Sequence, residues 1–166
     1  MKKHFLIGLF LLLSVVSFAQ NYQAHAVYIY SFIRYVQWPS SSADGDFTIG
    51  VVGDSPITEY LQKMADVKKV GSRDIVIKNF TNINGLENCD LVFVSKEYTE
   101  NFSVILGKLG RAHTLVITEK EGMGVAGSNI NFVQKNGKLA FEINKSAMQR
   151  ADLKVSSELT RLAILI

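Results

Sequence analysis

Short apolar runs rich in β-branched residues alternate with segments of helical period along most of this chain. The runs have the length of buried strands and comprise Phe47–Gly53, Ile75–Phe80, Leu91–Val94 and Thr114–Thr118. Apolar residues at helical spacing lie between them, at Ile57, Tyr60, Leu61 and Met64 and again at Phe102, Ile105, Leu106 and Leu109, before Gly110 as the predicted stop. This alternation predicts an α/β three-layer sandwich, with a mixed, mostly parallel sheet and helices on both faces.

The pattern changes after the fourth run. Asn136-Gly137 separates the β-rich stretches Ile130–Gln134 and Lys138–Ile143. Asn-Gly between two such stretches is a strong hairpin signal, because both residues accept the positive φ of a two-residue turn. We therefore expect an antiparallel C-terminal hairpin, followed by a helical stretch from Lys145 to Ile166.

The segment before the first strand predicts a helix over Tyr22 to Gln37, because it lacks Gly and Pro and ends at Trp38-Pro39. It has two apolar stripes, one of Ala26, Ile29, Ile33 and Val36 and one of Tyr28, Phe32 and Tyr35. So much apolar surface has two explanations. Either the helix is enclosed inside the domain, or its second stripe contacts another protein.

The first nineteen residues are typical of a secretory signal peptide. Lys2 and Lys3 precede the apolar run Phe5–Val16, which ends in Ser17-Phe18-Ala19, a small-x-small cleavage pattern. The run is shorter than the ~20 apolar residues that a membrane span needs. We expect cleavage after residue 19 and one exported domain over residues 20–166.

Composition excludes several classes of partner. A formal net charge of +3 over 166 residues offers no concentrated basic face for nucleic acid. His25, His113 and Cys89 are not at metal-ligand spacing, and we expect neither a metal nor a cofactor. Cys89 is the only cysteine, so no internal disulfide can form, and a buried thiol is expected.

Two motifs resemble known catalytic or ligand-binding motifs. Gly53-Asp54-Ser55 after the first strand resembles the nucleophile block of GDSL-type esterases, but neither histidine follows an aspartate at the spacing that such enzymes use. Asp54 and Ser55 are better explained as caps of the helix that Pro56 begins. The glycine-rich residues 121–127 come too late in the chain for a dinucleotide loop and predict a flexible connection.

Three stretches together resemble the YfiR-like family of exported proteins. The helix end Phe32–Pro39, with its aromatic-x-Trp-Pro pattern, is similar to the N-terminal signature of that family. The C-terminal part carries the more specific match, over Gly127–Val133, Lys138–Asn144 and Ala151–Leu159, with Leu162-Ala163 after it.

The resemblance implies a non-catalytic periplasmic regulator. In the best-known system, such a protein binds the periplasmic sensor domain of an inner-membrane diguanylate cyclase and represses cyclic-di-GMP synthesis, and an outer-membrane lipoprotein can sequester it. Other members occur beside other membrane sensors, such as histidine kinases. Well-studied members carry disulfides that make repression redox-sensitive, which a chain with Cys89 alone cannot reproduce within one molecule.

The residues themselves also fit a binding role, with a partner or in a homodimer, because exposed apolar patches mark interaction sites. The predicted contact residues are Tyr28, Phe32 and Tyr35 on the first helix and Leu162, Ile164 and Ile166 at the end of the chain. Structural roles are predicted for Trp38 and Pro39, and for Asn131, Glu142 and Asn144 within the hairpin motif. The alternative is a small-ligand-binding domain, with a pocket near Trp38 or the loop from Gly122 to Gly127.

Overall fold

The computed structural model describes residues 22–39, 45–109 and 113–166. The predicted signal peptide and the predicted helix stop at Gly110 lie outside these residues. Among the helices that are described, none has the length and apolar character needed to cross a bilayer.

Six helices and ten strands follow one another along the described chain. The helices are α1 (residues 22–35), α2 (Ile57–Ala65), α3 (Phe102–Leu109), α4 (Met123–Ala126), α5 (Lys145–Arg150) and α6 (Ser157–Leu162). The strands are β1 (Val36–Gln37), β2 (Phe47–Val52), β3 (Lys69–Val70), β4 (Arg73–Phe80), β5 (Leu91–Val94), β6 (Leu115–Thr118), β7 (Ile130–Lys135), β8 (Lys138–Ile143), β9 (Lys154–Val155) and β10 (Ile164–Leu165). Two 3₁₀ turns, Leu86–Asn88 and Lys96–Asn101, precede β5 and α3.

Eight of these strands form one mixed sheet in the order β10-β8-β7-β6-β5-β2-β4-β3. The five central strands β4, β2, β5, β6 and β7 are parallel, whereas β7 and β8 form an antiparallel hairpin. Asn136 and Gly137 form its turn with φ values of 53° and 72°, as a two-residue hairpin requires. The predicted fold class and the predicted hairpin are both confirmed.

Helices cover the sheet from both sides. On the front face, α1 and α2 pack with residues of β2, β5, β6, β7 and β8 in the larger of two core clusters. On the back face, α3 packs against Val52, Val92, Val94 and Val116 of β2, β5 and β6 in the smaller cluster. Parallel strands need both faces covered, which explains why every residue of β2, β5 and β6 is buried.

The prediction of a continuous helix after Lys145 is wrong. The helix α5 ends at Arg150, and Asp152 takes a φ of 55°, a left-handed conformation that ends a helix. The chain then pairs β9 with β1 and adds β10 beside β8. The pairing with β9 also explains why α1 stops at residue 35 instead of Gln37. Local propensity favours helix at both places, and strand pairing overrides it.

The predicted loop at residues 121–127 has a defined structure. The stretch 121–127 contains α4 between Gly122 and Gly127, both left-handed with φ values of 83° and 120°, and is not a flexible connection. Before β4, β3 pairs with it as a short hairpin across an exposed turn at residues 71–72. Arg73 from that hairpin donates to both carboxylate oxygens of Asp90 at 3.0 and 2.9 Å, and to the Gly45 and Asp46 carbonyls. Arg73 therefore joins β4 to the start of β5.

Candidate functional site

The carboxyl ends of three parallel strands meet a group of polar side chains. Ser55 follows β2, Ser95 follows β5 and Glu119 follows β6, and the first turn of α1 adds Tyr22 and His25. His25 Nε2 lies 4.0 Å from Glu119 Oε2, and the Tyr22 hydroxyl donates to Glu119 Oε1 at 3.5 Å. These contacts fasten the start of α1 to the end of β6.

Glu119 is a buried carboxyl group with a strongly shifted pKa. Its side chain is only 9% exposed, and burial raises the pKa of the carboxyl to about 7, with Glu97 adding to the rise and the backbone N–H of Lys96 opposing it. Burial, together with the neighbouring Glu119 carboxylate, also raises the pKa of Tyr22. Sequence analysis missed Glu119, although a carboxylate directly after a fully buried strand was a usable signal.

Side chains pack closely at the usual ligand crevice of such sheets. In open α/β sheets, ligands bind at the carboxyl ends where the strand order reverses, which here lies between β2 and β5. Gly53 has a φ of 94°, and a Cβ at this position would overlap the Tyr98 ring and the Ser95 hydroxyl. Among the described atoms, buried Ser95 Oγ has no hydrogen-bond partner. Ser95 and Tyr98 therefore pack directly against the backbone of Gly53.

Ser55, the candidate esterase nucleophile, is 5% exposed. Its Oγ accepts a hydrogen bond from the Ile57 N–H at 3.4 Å, while Pro56 occupies the N-cap position of α2 without a side-chain bond. The hydroxyl thus contributes to the start of α2, and its burial gives a substrate no access to it.

A row of polar side chains crosses the back face at β6, β7 and β8. Thr118 Oγ1 donates to Asn131 Oδ1 at 2.8 Å, and Asn131 Nδ2 donates to Glu142 Oε2 at 3.0 Å. Asn144 follows β8, where its Oδ1 caps α5 by accepting from the Ala147 N–H and its Nδ2 donates to the Gly124 carbonyl. These bonds hold three strands, α4 and α5 together, so Asn131, Glu142 and Asn144 have structural contacts.

The back face beyond this row is thinly covered. Among described residues, none of β7, β8 or β10 belongs to the core cluster under α3. Side-chain alternation and strand register place Val133, Ala140 and Ile164 on this face, beside Ile166 and α4. The Ile166 Cδ1 atom lies 2.8 Å from the position that a Cβ on Gly124 would take. Val125 follows Gly124 in the chain. We call Val125, Val133, Ala140, Ile164 and Ile166 the back flank.

The back flank is apolar and accessible. Val125 is 79% and Ile166 41% exposed, and Val133, Ala140 and Ile164 are half-buried. Sequence analysis missed Val125 because the residues around it predicted a flexible loop. Glycines in the left-handed conformation on both sides of Val125 instead define a single helical turn that presents this side chain to solvent.

The predicted contact residues at the end of the chain are distributed around one sheet edge. Ile164 and Ile166 belong to the back flank, whereas Leu162 is 73% exposed at the end of α6. Leu165, which was not predicted, aligns with Ile143 and therefore points to the front face, where it is 41% exposed. The prediction that these residues contact a partner stays untested.

The three predicted contact residues on α1 differ in how much of each side chain is exposed. Phe32 is fully buried, with its ring centroid 4.9 Å from Phe141 and 5.6 Å from Phe132, so it is a core residue and offers no contact surface in this fold. Tyr28 is half-buried against the same two rings. Tyr35 is 36% exposed. The first explanation of the two stripes, enclosure inside the domain, therefore accounts for most of the second stripe.

Trp38 and Pro39 end α1 at the amino edge of the sheet. The Trp38 ring packs edge-on against Phe47 at 5.2 Å, and its Nε1 donates to the Asp90 carbonyl at 3.2 Å. Both residues are half-buried. The indole is therefore held by Phe47 on one side and by the residue before β5 on the other.

Cys89 is a buried thiol before β5, 4% exposed, with its Sγ close to Gly50 and Phe80. Burial raises the pKa of this thiol to about 11. Both properties oppose reaction with another thiol in the folded state.

We therefore expect iodoacetamide to label the native protein at pH 8 far more slowly than the same protein unfolded in urea, as followed by mass spectrometry. Slow labelling would confirm that Cys89 lies in the core. Equal rates in the two conditions would show that the thiol is accessible, and a disulfide between two molecules would then become the better explanation of this residue.

In the described part of the chain, no group of three or more His, Cys, Asp or Glu side chains could hold a metal ion. The described site therefore consists of three features. They are the buried polar cluster around Glu119, the polar row from Thr118 to Glu142 and the apolar back flank.

Comparison with known proteins identifies the family. The sequence matches the family described as YfiR/HmsC-like over residues 22–164. The chain belongs to the YfiR/HmsC-like family. Members of this family are regulators of the periplasm, in agreement with the expected class of function. No curated protein matches the sequence.

Solved structures similar to this YfiR/HmsC-like chain show the fold alone. A conserved domain protein from Vibrio cholerae aligns with a TM-score of 0.60 at 12% identity, over 87% of this chain and 59% of that one. The ABC domain from Streptococcus pneumonia, solved in complex with L-Trp, aligns with a TM-score of 0.51 at 11% identity, over 71% of this chain and 54% of that one. The chain thus spans little more than half the length of either protein.

Proposed function

We propose that this chain is a periplasmic repressor. It binds the periplasmic sensor domain of an inner-membrane signalling protein, a diguanylate cyclase or a histidine kinase, and lowers the activity of that protein without catalysis of its own. Membership of the YfiR/HmsC-like family supports the regulatory class. An outer-membrane lipoprotein that sequesters the repressor is the second partner that this proposal includes.

The back flank is the observation that carries the proposal. A small domain ordinarily covers the apolar faces of its sheet, and an uncovered apolar patch marks a site of protein contact. Here the side of β7, β8 and β10 away from α1 presents Val125, Ile166 and the half-buried Ile164 to solvent. The Glu142 carboxylate borders this flank and accepts a hydrogen bond from Asn131 Nδ2, so a partner that covers the flank should supply a further donor or a cation for this carboxylate.

The first experiment is recovery of the partner. The purified protein, immobilised and incubated with solubilised inner membrane, should retain a membrane protein that has a periplasmic sensor domain and a cyclase or kinase domain. The same sample should lower the cyclase or kinase activity of that protein after purification. Retention of no such protein would contradict the proposal.

Substitution of the flank tests the surface itself. We expect Val125→Asp and Ile166→Lys each to weaken partner binding at least about ten-fold, or about 1.4 kcal/mol, because each introduces a charge into an apolar contact. Lysine is chosen at position 166 because the Glu142 carboxylate lies near that side chain. Binding is measured by calorimetry, and urea unfolding shows that each variant remains folded.

Val67→Asp is the matched control, because Val67 is 75% exposed after α2 and lies outside the flank. It should bind as the wild type does. Wild-type affinity in both flank variants would contradict this choice of surface. A change of oligomeric state by light scattering, with partner binding intact, would assign the flank to a homodimer instead.

A further inference from the structure

A cavity of about 120 Å³ lies on the back face at the amino edge of the sheet, between α3 and α5. Its apolar wall includes Leu106, Leu109 and Ala147. An apolar cavity of about 150 Å³ accommodates a benzene molecule, so this space suits a compact organic group and exceeds what one water needs. None of its lining residues belongs to the back flank, and the inference below does not depend on the proposed function.

Asn129 gives this cavity a hydrogen-bond donor. The residue is 4% exposed, and its Oδ1 is already engaged by the Val116 N–H at 2.7 Å. That bond fixes the orientation of the amide. Its Nδ2 donates to no residue in the described part of the chain, and it is not among the fully enclosed atoms. A buried amide that lines a cavity with a free donor favours a ligand that carries an acceptor.

Arg150 adds a positive charge at the same wall. It ends α5, lines the cavity, and its Nη2 lies 3.9 Å from the Cβ position of Gly127. Among the residues that the structure describes, Arg150 forms no ion pair, and none of the cavity's lining residues is acidic. A guanidinium with free donors pairs best with a planar oxyanion.

From these contacts we infer that the cavity binds a small monocarboxylate with a compact apolar tail. The carboxylate accepts hydrogen bonds from Arg150 and from Asn129 Nδ2, and the tail packs against Leu106, Leu109 and Ala147. The bound ligand contacts both α3 and α5, so its binding also stabilises the folded state.

Benzoate and isovalerate are the probes, with the neutral amides benzamide and isovaleramide as isosteric controls. Binding is followed in the purified protein by NMR of the Asn129 side-chain amide and the Ala147 methyl group. We expect saturable shifts of both signals with a carboxylate and at least ten-fold weaker binding of the amides. Arg150→Gln should weaken carboxylate binding at least ten-fold, and Arg150→Lys by less.

Arg161→Gln is the matched control, because Arg161 is also exposed near a helix end but does not line the cavity. It should leave the affinity unchanged. Three outcomes would overturn the inference: no saturable shift with either acid, equal affinity for acid and amide, or equal affinity in the wild type and Arg150→Gln. Because Arg150 is exposed, its substitution should leave the fold intact, and the same NMR spectra check that the variant is folded.

Discussion

Phe32→Ala is expected to lower the free energy of unfolding by about 3–5 kcal/mol, the range for a phenylalanine removed from a packed core. Phe32 is fully buried, and its ring lies 4.9 Å from Phe141, 5.6 Å from Phe132 and 6.1 Å from Tyr28. The truncation removes a ring that joins α1 to β7 and β8, and these elements cannot close the space without moving the helix. Urea denaturation of the wild type and the variant measures the difference.

Val27→Ala is the control for this experiment, because Val27 lies on the same helix with 64% of its surface exposed. Its effect should stay within about 0.5 kcal/mol. If Phe32→Ala kept wild-type stability but lost partner binding, Phe32 would be a contact residue and the placement of α1 would be incorrect. A charged residue at position 32 is a poor test of the interface, because it would unfold the core.

Glu119→Gln is expected to stabilise the protein at alkaline pH. The pKa of Glu119 rises from 4.5 to about 7 on folding because the carboxyl is buried. The folded state therefore holds the proton more tightly than the unfolded state, and stability from this group is complete below pH 4.5 and is lost as the pH rises through 7. Glutamine does not titrate, so the variant should exceed the wild type by about 3 kcal/mol at pH 8 and by little at acidic pH.

The measurement is a series of urea unfolding curves from acidic to alkaline pH. The groups that face Glu119 are Tyr22 and His25 from α1 and Lys96 and Glu97 from the turn after β5. Glu59→Gln is the control, since Glu59 lies on the exposed side of α2 and its profile should run parallel to that of the wild type. A pH-independent difference between Glu119→Gln and the wild type would show that Glu119 stays ionised in the folded protein, paired with His25.

Most of the strands were predictable because their signals are local. Leu91–Val94 and residues 115–118 consist of apolar residues and one threonine, with at least half of each strand β-branched, and burial on both faces of a parallel sheet favours that composition. The Asn136-Gly137 turn was equally readable, since few residue pairs accept positive φ at two successive positions. The short strands β9 and β10 had no such signal, because two residues carry too little periodicity.

The candidate site was less predictable than the fold. Sequence spacing placed Phe32 and Tyr35 on one stripe, but α1 crosses the sheet so that Phe32 is buried and Tyr35 is half exposed. The contact of His25 with Glu119 joins residues 94 positions apart, and the cavity brings Leu106 of α3 beside Asn129 and Arg150. No local pattern encodes such pairs, since they depend on how α1, α3 and α5 pack on the sheet.

By itself, the sequence determined the layer architecture, the hairpin and the family, because alternating periodicity, turn residues and the motif over Gly127–Leu159 are properties of neighbouring residues. Only the tertiary structure decided which apolar side chains are core and which form the back flank, since burial depends on what covers each sheet face. It also decided that Glu119 is buried beside His25 and that Arg150 and Asn129 share a cavity. Those facts arise from long-range packing, in which the free energy of a side chain is set by neighbours distant in sequence.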